Sequence, residues 1–384
     1  MEIYLDNSAT TRTDEEVINL MKRIMDEDYG NPSSMHHKGF AAEQYVRAAK
    51  ETFCSIFKCT KEEVFFTSGG TESNNWALFQ AAAANARTGR HILASPIEHP
   101  SVSVPLKMLA EEGFEVEYLN VDASGHTDPE EVRERIREDT ILATVMCVNN
   151  ETGALQDIAS IGNAVKEKNP RTLFHTDAVQ AFGKYRIIPK KEKIDLLSVS
   201  AHKLHGPKGI GLLYKGRGVK FRPYIYGGGQ QNDLRSGTEN VPGIAGFAKA
   251  AEIAYASLEE ETARIRSLKD LLIKGLSGIS GCVIHGSTDK TSAPHILNVS
   301  FTGIRSEVML HALEDRGIFV SAGSACSVHK KEKSPTLTAM GVNREELDSA
   351  IRFSLSRYNT EEEISYTVQT LTEHIPVLSR FVRR

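Results

Sequence analysis

Between about residues 60 and 215, short hydrophobic runs alternate with segments whose apolar positions recur at helical spacing. The runs are rich in β-branched residues and predict strands: VFFT (64–67), HILAS (91–95), FEVEYLNV (114–121), TILATVMCV (140–148), TLFHT (172–176) and DLLSVS (195–200). Strands that alternate with helices in this way are typical of a mainly parallel sheet. We therefore expect an α/β fold.

The pattern differs on either side of this region. Before it, Thr13 to Met25 predicts a helix with a capping box made by Thr13 and Glu16. After the glycine cluster YGGGQQ (226–231), the pattern predicts a helical run over 241–278, strands ILNVSF (296–301) and GIFVSA (317–322), and a last helix from about 361. We expect a large domain over residues 13–255 and a smaller α+β domain made of 1–12 and 256–384.

Composition narrows the class of protein. The 384 residues are 40% hydrophobic, enough for a large core and for more than one average domain. The 46 basic and 50 acidic residues are scattered, so a nucleic-acid partner is not expected. An apolar stretch of about 20 residues and a signal-peptide pattern are both missing, so we expect no membrane association and a cytoplasmic location.

The five cysteines are odd in number, widely spread and without CxxC spacing: Cys54, Cys59, Cys147, Cys282 and Cys326. This pattern favours reduced thiols over a disulfide framework or a zinc ribbon. Cys54, Cys147 and Cys282 lie in apolar patterns that indicate structural residues, and Cys59 lies at a helix end.

A phosphate site is one interpretation of SGGTESNN (68–75), which follows the strand VFFT. Two glycines allow a tight turn there, and Ser68 or Thr71 can present a hydroxyl beside the free N–H groups of a new helix. An ordinary turn with a helix cap fits the same residues about equally well. The segment has neither nucleotide-binding glycine motif.

Lys203 and Asp177 carry the candidate chemistry. Lys203 follows a buried strand in SAHKLHGPKGIG (200–211), where loss of solvent would lower its pKa and free the amine. A solvated loop lysine is the alternative for Lys203 taken alone. Asp177 directly follows an apolar strand in FHTDAVQ, a costly place for a carboxylate unless a cation pairs with it. A protonated pyridine nitrogen is such a cation.

Pyridoxal phosphate requires this combination of a lysine amine, an acid at the ring nitrogen and a phosphate cup. Gln180 could hydrogen-bond the ring oxygen, and His99 could lie on the ring face. His99 alone is more often an ordinary loop histidine, and Asn150 could merely shape a turn. All of these residues fall at predicted carboxyl ends of strands, where an open α/β sheet binds its ligand.

The chain as a whole resembles the NifS/IscS-type cysteine desulfurases of the class V aminotransferase group. The resemblance lies in ten ordered runs: YLDNSATT, GNPSS, FTSGGTESNN, EHPSV, VNNETG, HTDAVQ, SAHKLHGPKGIG, RSGTEN, SAGSAC and IRFSLSRY. It implies a pyridoxal-phosphate-dependent transferase of fold type I, with a seven-stranded sheet in the large domain. It also implies a homodimer that converts L-cysteine to L-alanine.

The resemblance further implies a role for each matching residue. Lys203 would bond to the cofactor, with Asp177 at its pyridine nitrogen, Gln180 at its ring oxygen and His99 stacked over the ring as a carrier of protons. The remaining implied contacts are the phosphate cup of Gly70, Thr71, Ser200 and His202, Thr238 from the partner subunit, Asn150 beside cofactor and substrate, and Arg352 on the substrate carboxylate.

Cys326 of SAGSAC resembles the family's sulfur acceptor, which receives the substrate sulfur as a persulfide on a mobile polar loop. The following HKKEK would keep that loop solvated. A protein acceptor such as an iron–sulfur scaffold would then take the sulfur. Ala322 and the pair Ser327-Val328 differ from the residues that are usual in the family at these positions. The identity of the protein that takes the sulfur from Cys326 is therefore left open.

Two alternatives remain at this point. A selenocysteine lyase or an aminotransferase of the same fold would use the same cofactor residues without needing a mobile cysteine. A metal-binding scaffold could use Cys326, His329, His36 and His37, but a single Cys-x-x-His lacks the second paired element of a zinc site. We therefore expect no metal.

Overall fold

The computed structural model describes residues 2–322 and 333–379. Its strands are β1 (Ile3–Tyr4), β2 (Val64–Thr67), β3 (His91–Ala94), β4 (Glu115–Tyr118), β5 (Thr140–Thr144), β6 (Leu173–Asp177), β7 (Leu196–Ser200), β8 (Gly211–Lys215), β9 (Cys282–His285), β10 (Ile296–Phe301), β11 (Ile318–Phe319), β12 (Ser321–Ala322) and β13 (Ala350–Ser354).

The α-helices of the same residues are α1 (Glu15–Asp26), α2 (His37–Phe57), α3 (Gly70–Asn85), α4 (Pro100–Glu111), α5 (Pro129–Arg135), α6 (Ile158–Lys168), α7 (Val241–Ala256), α8 (Leu258–Leu276), α9 (Ser306–Glu314), α10 (Pro335–Ala339), α11 (Arg344–Ser349) and α12 (Glu361–Leu378). Two short 3-10 helices cover Lys61–Glu63 and Ala201–Lys203.

A seven-stranded sheet forms the centre of the fold, in the order β2-β8-β7-β6-β5-β3-β4. Strands β7, β6, β5, β3 and β4 pair in parallel, and β8 is antiparallel to both of its neighbours. The predicted α/β class with a mainly parallel sheet is confirmed.

Both faces of this sheet are covered, since all of its strands except β4 are largely buried on both sides. In β2, the adjacent residues Phe65 and Phe66 point to opposite faces. Phe65 contacts Trp76 edge to face at 5.6 Å between ring centroids, and Phe66 contacts Phe53 at 5.8 Å. Helix α3 therefore packs on one face and α2 on the other, and the strand ends remain open for a site.

A second sheet, in the order β12-β13-β10-β9, is antiparallel throughout and has its own apolar core. The amino terminus joins this part of the chain, since β1 pairs in parallel with β11 and places Ile3 opposite Ile318. The domain boundaries given above stay a prediction. Among the described residues, we find no helix both long enough and apolar enough to cross a membrane.

Three local predictions are wrong. Helix α1 begins at Glu15 after Asp14, and Thr13 instead donates its hydroxyl to Gly206 O at 3.4 Å, so Thr13 and Glu16 form no capping box. The helical run over 241–278 is two helices, α7 and α8, because the chain turns at Ser257. The expected strand 317–322 likewise divides into β11 and β12, which belong to different sheets.

Candidate active site

The carboxyl ends of the parallel strands bring several predicted residues to one edge of the central sheet. Strand β6 ends at Asp177 and β7 at Ser200, and the 3-10 turn that follows β7 ends at Lys203. Helix α3 begins at Gly70, immediately after β2, and α4 begins directly after His99. This is the position at which an open α/β sheet binds its ligand.

The start of α3 forms a close-fitting cradle against Ser200. Gly69 adopts φ 156° and ψ −178°, a conformation that glycine tolerates and other residues avoid. A methyl group at Gly70 would lie only 2.8 Å from Val179 Cγ2 and 3.7 Å from Ser200 Cβ. The first backbone N–H groups of α3, a 16-residue helix, have no partner within the helix and so favour an anion.

Lys203 and Gln180 meet on one backbone oxygen of the amino-terminal segment. Lys203 Nζ donates to Ser8 O at 2.5 Å and to Ala9 O at 2.7 Å. Gln180 Nε2 donates to the same Ser8 O at 3.0 Å. The segment between β1 and α1 therefore lies against the candidate cofactor residues, and it holds the lysine amine beside the glutamine amide.

Asp177 is 4% exposed and is held by two donors from the protein. Asn74 Nδ2 donates to Asp177 Oδ2 at 2.7 Å, and the backbone N–H of Val179 donates to Oδ1 at 2.9 Å. Each carboxylate oxygen has a second lone pair, so the group can still accept from a ring nitrogen. Two fixed hydrogen bonds set its orientation for that contact.

His99 lies within electrostatic reach of three charged residues of the site. Burial lowers the pKa of His99 below its ordinary value, Asp177 opposes this shift, and Lys203 and Arg352 reinforce it. Ser101 Oγ lies 2.8 Å from His99 Nδ1, which also accepts the backbone N–H of Ser101 at 3.1 Å. The imidazole is therefore neutral and tightly oriented.

Arg352 approaches this site from β13 of the second sheet. Its Nη1 donates to Asn150 O at 2.9 Å and its Nη2 donates to Asp6 Oδ1 at 2.8 Å. Within residues 2–322 and 333–379, the buried Arg352 Nε has no hydrogen-bond partner. The guanidinium is thus fixed in position and keeps donor capacity for a carboxylate.

His202 and Thr71 lie beside the residues described above. His202 Nδ1 is 3.2 Å from Thr10 Oγ1, and burial lowers the pKa of His202 to about 4, with Lys203 and Lys208 acting in the same direction. Thr71 is exposed at the first turn of α3. Thr238 is also exposed and lies in the segment between Arg235 and α7.

Cys326 lies outside the described residues, as does the mobile loop predicted around it. The other four cysteines are free thiols. Burial raises the pKa of Cys54, Cys59 and Cys147 above the ordinary value, and raises the pKa of Cys282 to about 11. Each of these four thiols is therefore a poor nucleophile at neutral pH.

One histidine of the alternative metal site, His36, has another role. His36 caps α2, and its Nδ1 accepts the backbone N–H of Gly39 at 3.3 Å. In the part of the chain that the structure describes, we find no group of three histidine, cysteine or acidic side chains that could hold a metal ion. Cys326 and His329 lie outside that part.

Sequence reasoning missed Asp6, Ser8, Asn74 and Ser101 as parts of this site. Asn74 carried the clearest available sequence signal, because it is a polar residue directly before the mostly apolar run WALFQAAAA of one helix. Ser8 contributes a backbone oxygen, which no side-chain pattern reveals.

The residues present fit pyridoxal phosphate. The Gly70 cradle with its free N–H groups suits a phosphate, and Asp177 supplies a buried acceptor for a pyridine N–H. The amine of Lys203 lies at the same edge of the sheet and is held by Ser8 and Ala9.

Comparison with known proteins relates the whole chain to one family. The family described as Aminotransferase class-V matches residues 3–367. A protein named cysteine desulfurase IscS from Methanosarcina thermophila is 43% identical over 98% of this chain and 92% of that relative. Cysteine desulfurase IscS 1 from Archaeoglobus fulgidus is 40% identical over 99% of this chain and 100% of that relative.

Two solved structures share the fold. A structure described as a NifS-like protein has a TM-score of 0.93 and 41% identity, and covers 98% of this chain and 100% of its own. A structure described as SspA in complex with cysteine has a TM-score of 0.80 and 32% identity, and covers 93% of this chain and 100% of its own.

Proposed function

Because the chain belongs to the class-V aminotransferase family and is one of its pyridoxal-phosphate-dependent cysteine desulfurases, we propose that it converts L-cysteine to L-alanine and receives the sulfur on Cys326. The main support within this chain is geometric: Lys203 and Gln180 both donate to Ser8 O, and Asn74 connects Asp177 with Ser101 beside His99. A related solved structure, described as a complex with cysteine, supports the same substrate.

The cofactor would be held by residues from several elements. Lys203 would bond to it, Asp177 would face its pyridine nitrogen, Gln180 its ring oxygen and His99 its face, and the phosphate cup would consist of Gly70, Thr71, Ser200 and His202. When bound, pyridoxal phosphate joins the substrate amino group and withdraws electrons from the bonds at its Cα.

The side chains of this enzyme would orient the substrate and move its protons. Arg352 would bind the substrate carboxylate through two parallel hydrogen bonds, and Asn150 would border the same position. Lys203 Nζ would take the proton from the substrate Cα, since it lies at the same edge of the sheet and is oriented by the Ser8 and Ala9 carbonyls.

Cys326 would act as the nucleophile toward sulfur. Its thiolate would form an S–S bond to the substrate sulfur while the substrate Cβ–S bond breaks, and a proton would complete the methyl group of alanine. The balanced result is one alanine and one persulfide from one cysteine and one thiol. The raised pKa values of the four other cysteines support this assignment.

The same proposal includes a homodimer, a protein that receives the sulfur, and a cytoplasmic location. Large exposed apolar side chains lie between α1 and α2 and in the first turn of α2, including Tyr29 at 70%, Met35 at 106% and Phe40 at 60% exposure. They favour a homodimer in which Thr238 reaches the partner site. The large domain of 13–255 and the small domain of 1–12 and 256–384 would enclose the site. The persulfide would pass to a protein acceptor such as an iron–sulfur scaffold, in the cytoplasm.

The test is to incubate purified holoenzyme with L-cysteine and a thiol reductant, and to measure alanine and sulfide. Equal amounts of both products are expected without any keto acid. Amino transfer that depends on a keto acid would instead indicate an aminotransferase. Turnover confined to selenocysteine would indicate a selenocysteine lyase, and either result would contradict the proposal.

A further inference from the structure

A buried chain of hydrogen bonds connects Asp177 with His99. Asn74 Nδ2 donates to Asp177 Oδ2 at 2.7 Å and to Ser101 Oγ at 2.8 Å. Ser101 Oγ lies 2.8 Å from His99 Nδ1. Asn74 is fully buried and Ser101 is 7% exposed, so water does not compete strongly for these contacts.

The direction of each hydrogen bond follows from its neighbours. Both oxygens of Asp177 accept hydrogen bonds, so the amide nitrogen of Asn74, and not its oxygen, must face the carboxylate. The same nitrogen donates to Ser101 Oγ, which leaves the serine hydrogen to point to His99 Nδ1. The backbone N–H of Ser101 donates to Nδ1 as well, at 3.1 Å. His99 Nδ1 therefore accepts two hydrogen bonds, both from Ser101.

A ring nitrogen that accepts hydrogen bonds carries no proton, so the imidazole proton lies on Nε2. Resting on the function proposed above, we propose that Ser101 and Asn74 are positioning residues that keep His99 neutral with its proton on Nε2. His99 then offers the bound cofactor or substrate a fixed hydrogen-bond donor.

The charges around His99 agree with a neutral ring. Asp177 at the end of β6 favours the protonated ring, whereas burial, Lys203 after β7 and Arg352 on β13 oppose it. The net effect is a pKa below the ordinary value of 6.5, so the ring is neutral at pH 7 and above. The geometry then decides which nitrogen keeps the proton.

The experiment is nitrogen NMR on holoenzyme labelled with 15N-histidine, with the His99 signals identified by their loss in His99→Gln. In the wild type, His99 should show an unprotonated Nδ1 and a protonated Nε2 from pH 7 to 8. In Ser101→Ala, which removes one donor to Nδ1, the pKa of His99 and the acidic limb of the kcat profile should rise by about 0.5–1 pH unit.

Ser103→Ala is the matched control, because Ser103 lies on the same helix and donates its backbone N–H to His99 O at 3.0 Å, a contact that alanine keeps. It should leave both the spectrum and the pH profile unchanged. Ser101→Thr keeps the hydroxyl and should retain the wild-type tautomer.

A proton on Nδ1 of the wild-type enzyme at pH 7 would overturn the proposal, as would an unchanged spectrum and pH profile in Ser101→Ala. The wild-type spectrum decides the tautomer even if a variant does not fold. A wild-type enzyme with the expected tautomer that makes no alanine from cysteine would refute the proposed function, and the tautomer assignment would stand.

Discussion

Arg352 donates a hydrogen bond from Nη2 to Asp6 Oδ1 at 2.8 Å. These two residues are 346 positions apart in the chain and bring the amino-terminal segment against β13. Asp6 fixes one end of the guanidinium, while the backbone oxygen of Asn150 fixes another donor at 2.9 Å. The planar group is therefore oriented before any substrate carboxylate arrives, which reduces the entropy lost on binding.

Arg352→Lys should raise KM for L-cysteine by roughly tenfold or more and change kcat less, because a lysine cannot form two parallel hydrogen bonds to a carboxylate. Steady-state alanine formation measures both constants. Arg305→Lys is the control, since the Arg305 side chain is 69% exposed and pairs with Glu307. An unchanged KM in Arg352→Lys would show that the substrate carboxylate binds elsewhere.

Lys203 should carry the cofactor, so borohydride reduction of the holoenzyme should fix the cofactor on the peptide that contains Lys203. Lys203→Ala should lose this covalent adduct, although the phosphate contacts can retain some bound cofactor. Lys208→Ala removes an exposed lysine of the same loop and should behave like the wild type. Mass spectrometry of the digested protein locates the adduct, and finding it on Lys208 would refute the assignment.

Six of the seven strands of the sheet coincide with predicted hydrophobic runs, whereas β8 was not predicted because it follows β7 after a short segment without an α-helix. Such a run identifies a strand wherever both faces are buried, as they are around Phe65 and Phe66. The ends of the elements were less predictable. The strand expected to reach residue 148 ends at Thr144, although the apolar residues continue.

The predicted helix boundaries were wrong where the local sequence pattern did not match the contacts in the fold. Thr13 and Glu16 have the spacing of a capping box, but the Thr13 hydroxyl faces Gly206, which is distant in sequence. A local pattern cannot report such a partner. The break at Ser257 carries no proline or glycine, but Ser257 and Glu260 have the spacing of a helix start, which the prediction of one continuous helix overlooked.

The site was predictable only in part. Lys203 and Asp177 follow buried strands, and that position distinguishes them from ordinary surface charges. Asn74 and Asp177, however, are 103 residues apart, and their contact depends on how α3 packs against β6. A single sequence does not reveal that packing, so only the structure shows the chain of hydrogen bonds from Asp177 to His99.

Lys269 predicts a pH dependence of stability. It is completely buried, and its Nζ donates to Ser292 Oγ at 2.6 Å and to Ala293 O at 2.8 Å. Burial lowers the pKa of Lys269 from 10.5 to about 7, with Arg266 adding to the shift and Asp270 opposing it. Between pH 7 and 10, the unfolded chain binds a proton that the folded chain lacks, so stability rises with pH across this window.

Lys269→Met removes this titration. The unfolding free energy of the wild type, relative to that of Lys269→Met, should therefore increase by about 1 kcal/mol per pH unit from pH 7 to 9. Urea unfolding of both holoenzymes at equal protein concentration measures the difference. Lys274→Met, on the exposed side of the same helix, should show no such trend. A difference that stays constant with pH would mean that Lys269 remains charged in the folded protein.

Cys326→Ala tests the residue on which the sulfur transfer depends. If Cys326 is the nucleophile and has no part in binding the cofactor, the variant should keep its cofactor content and still bind L-cysteine, because those steps use Lys203, Asp177 and Arg352. It should make almost no alanine or sulfide and carry no persulfide, since burial raises the pKa of the four other thiols and leaves little thiolate to replace Cys326.

The control is Cys282→Ala, which removes a thiol with a pKa of about 11 and should keep wild-type turnover. Product analysis and intact-protein mass spectrometry measure these outcomes. Full alanine production by Cys326→Ala, with the additional sulfur on Cys54, Cys59, Cys147 or Cys282, would transfer the sulfur-accepting role to that residue.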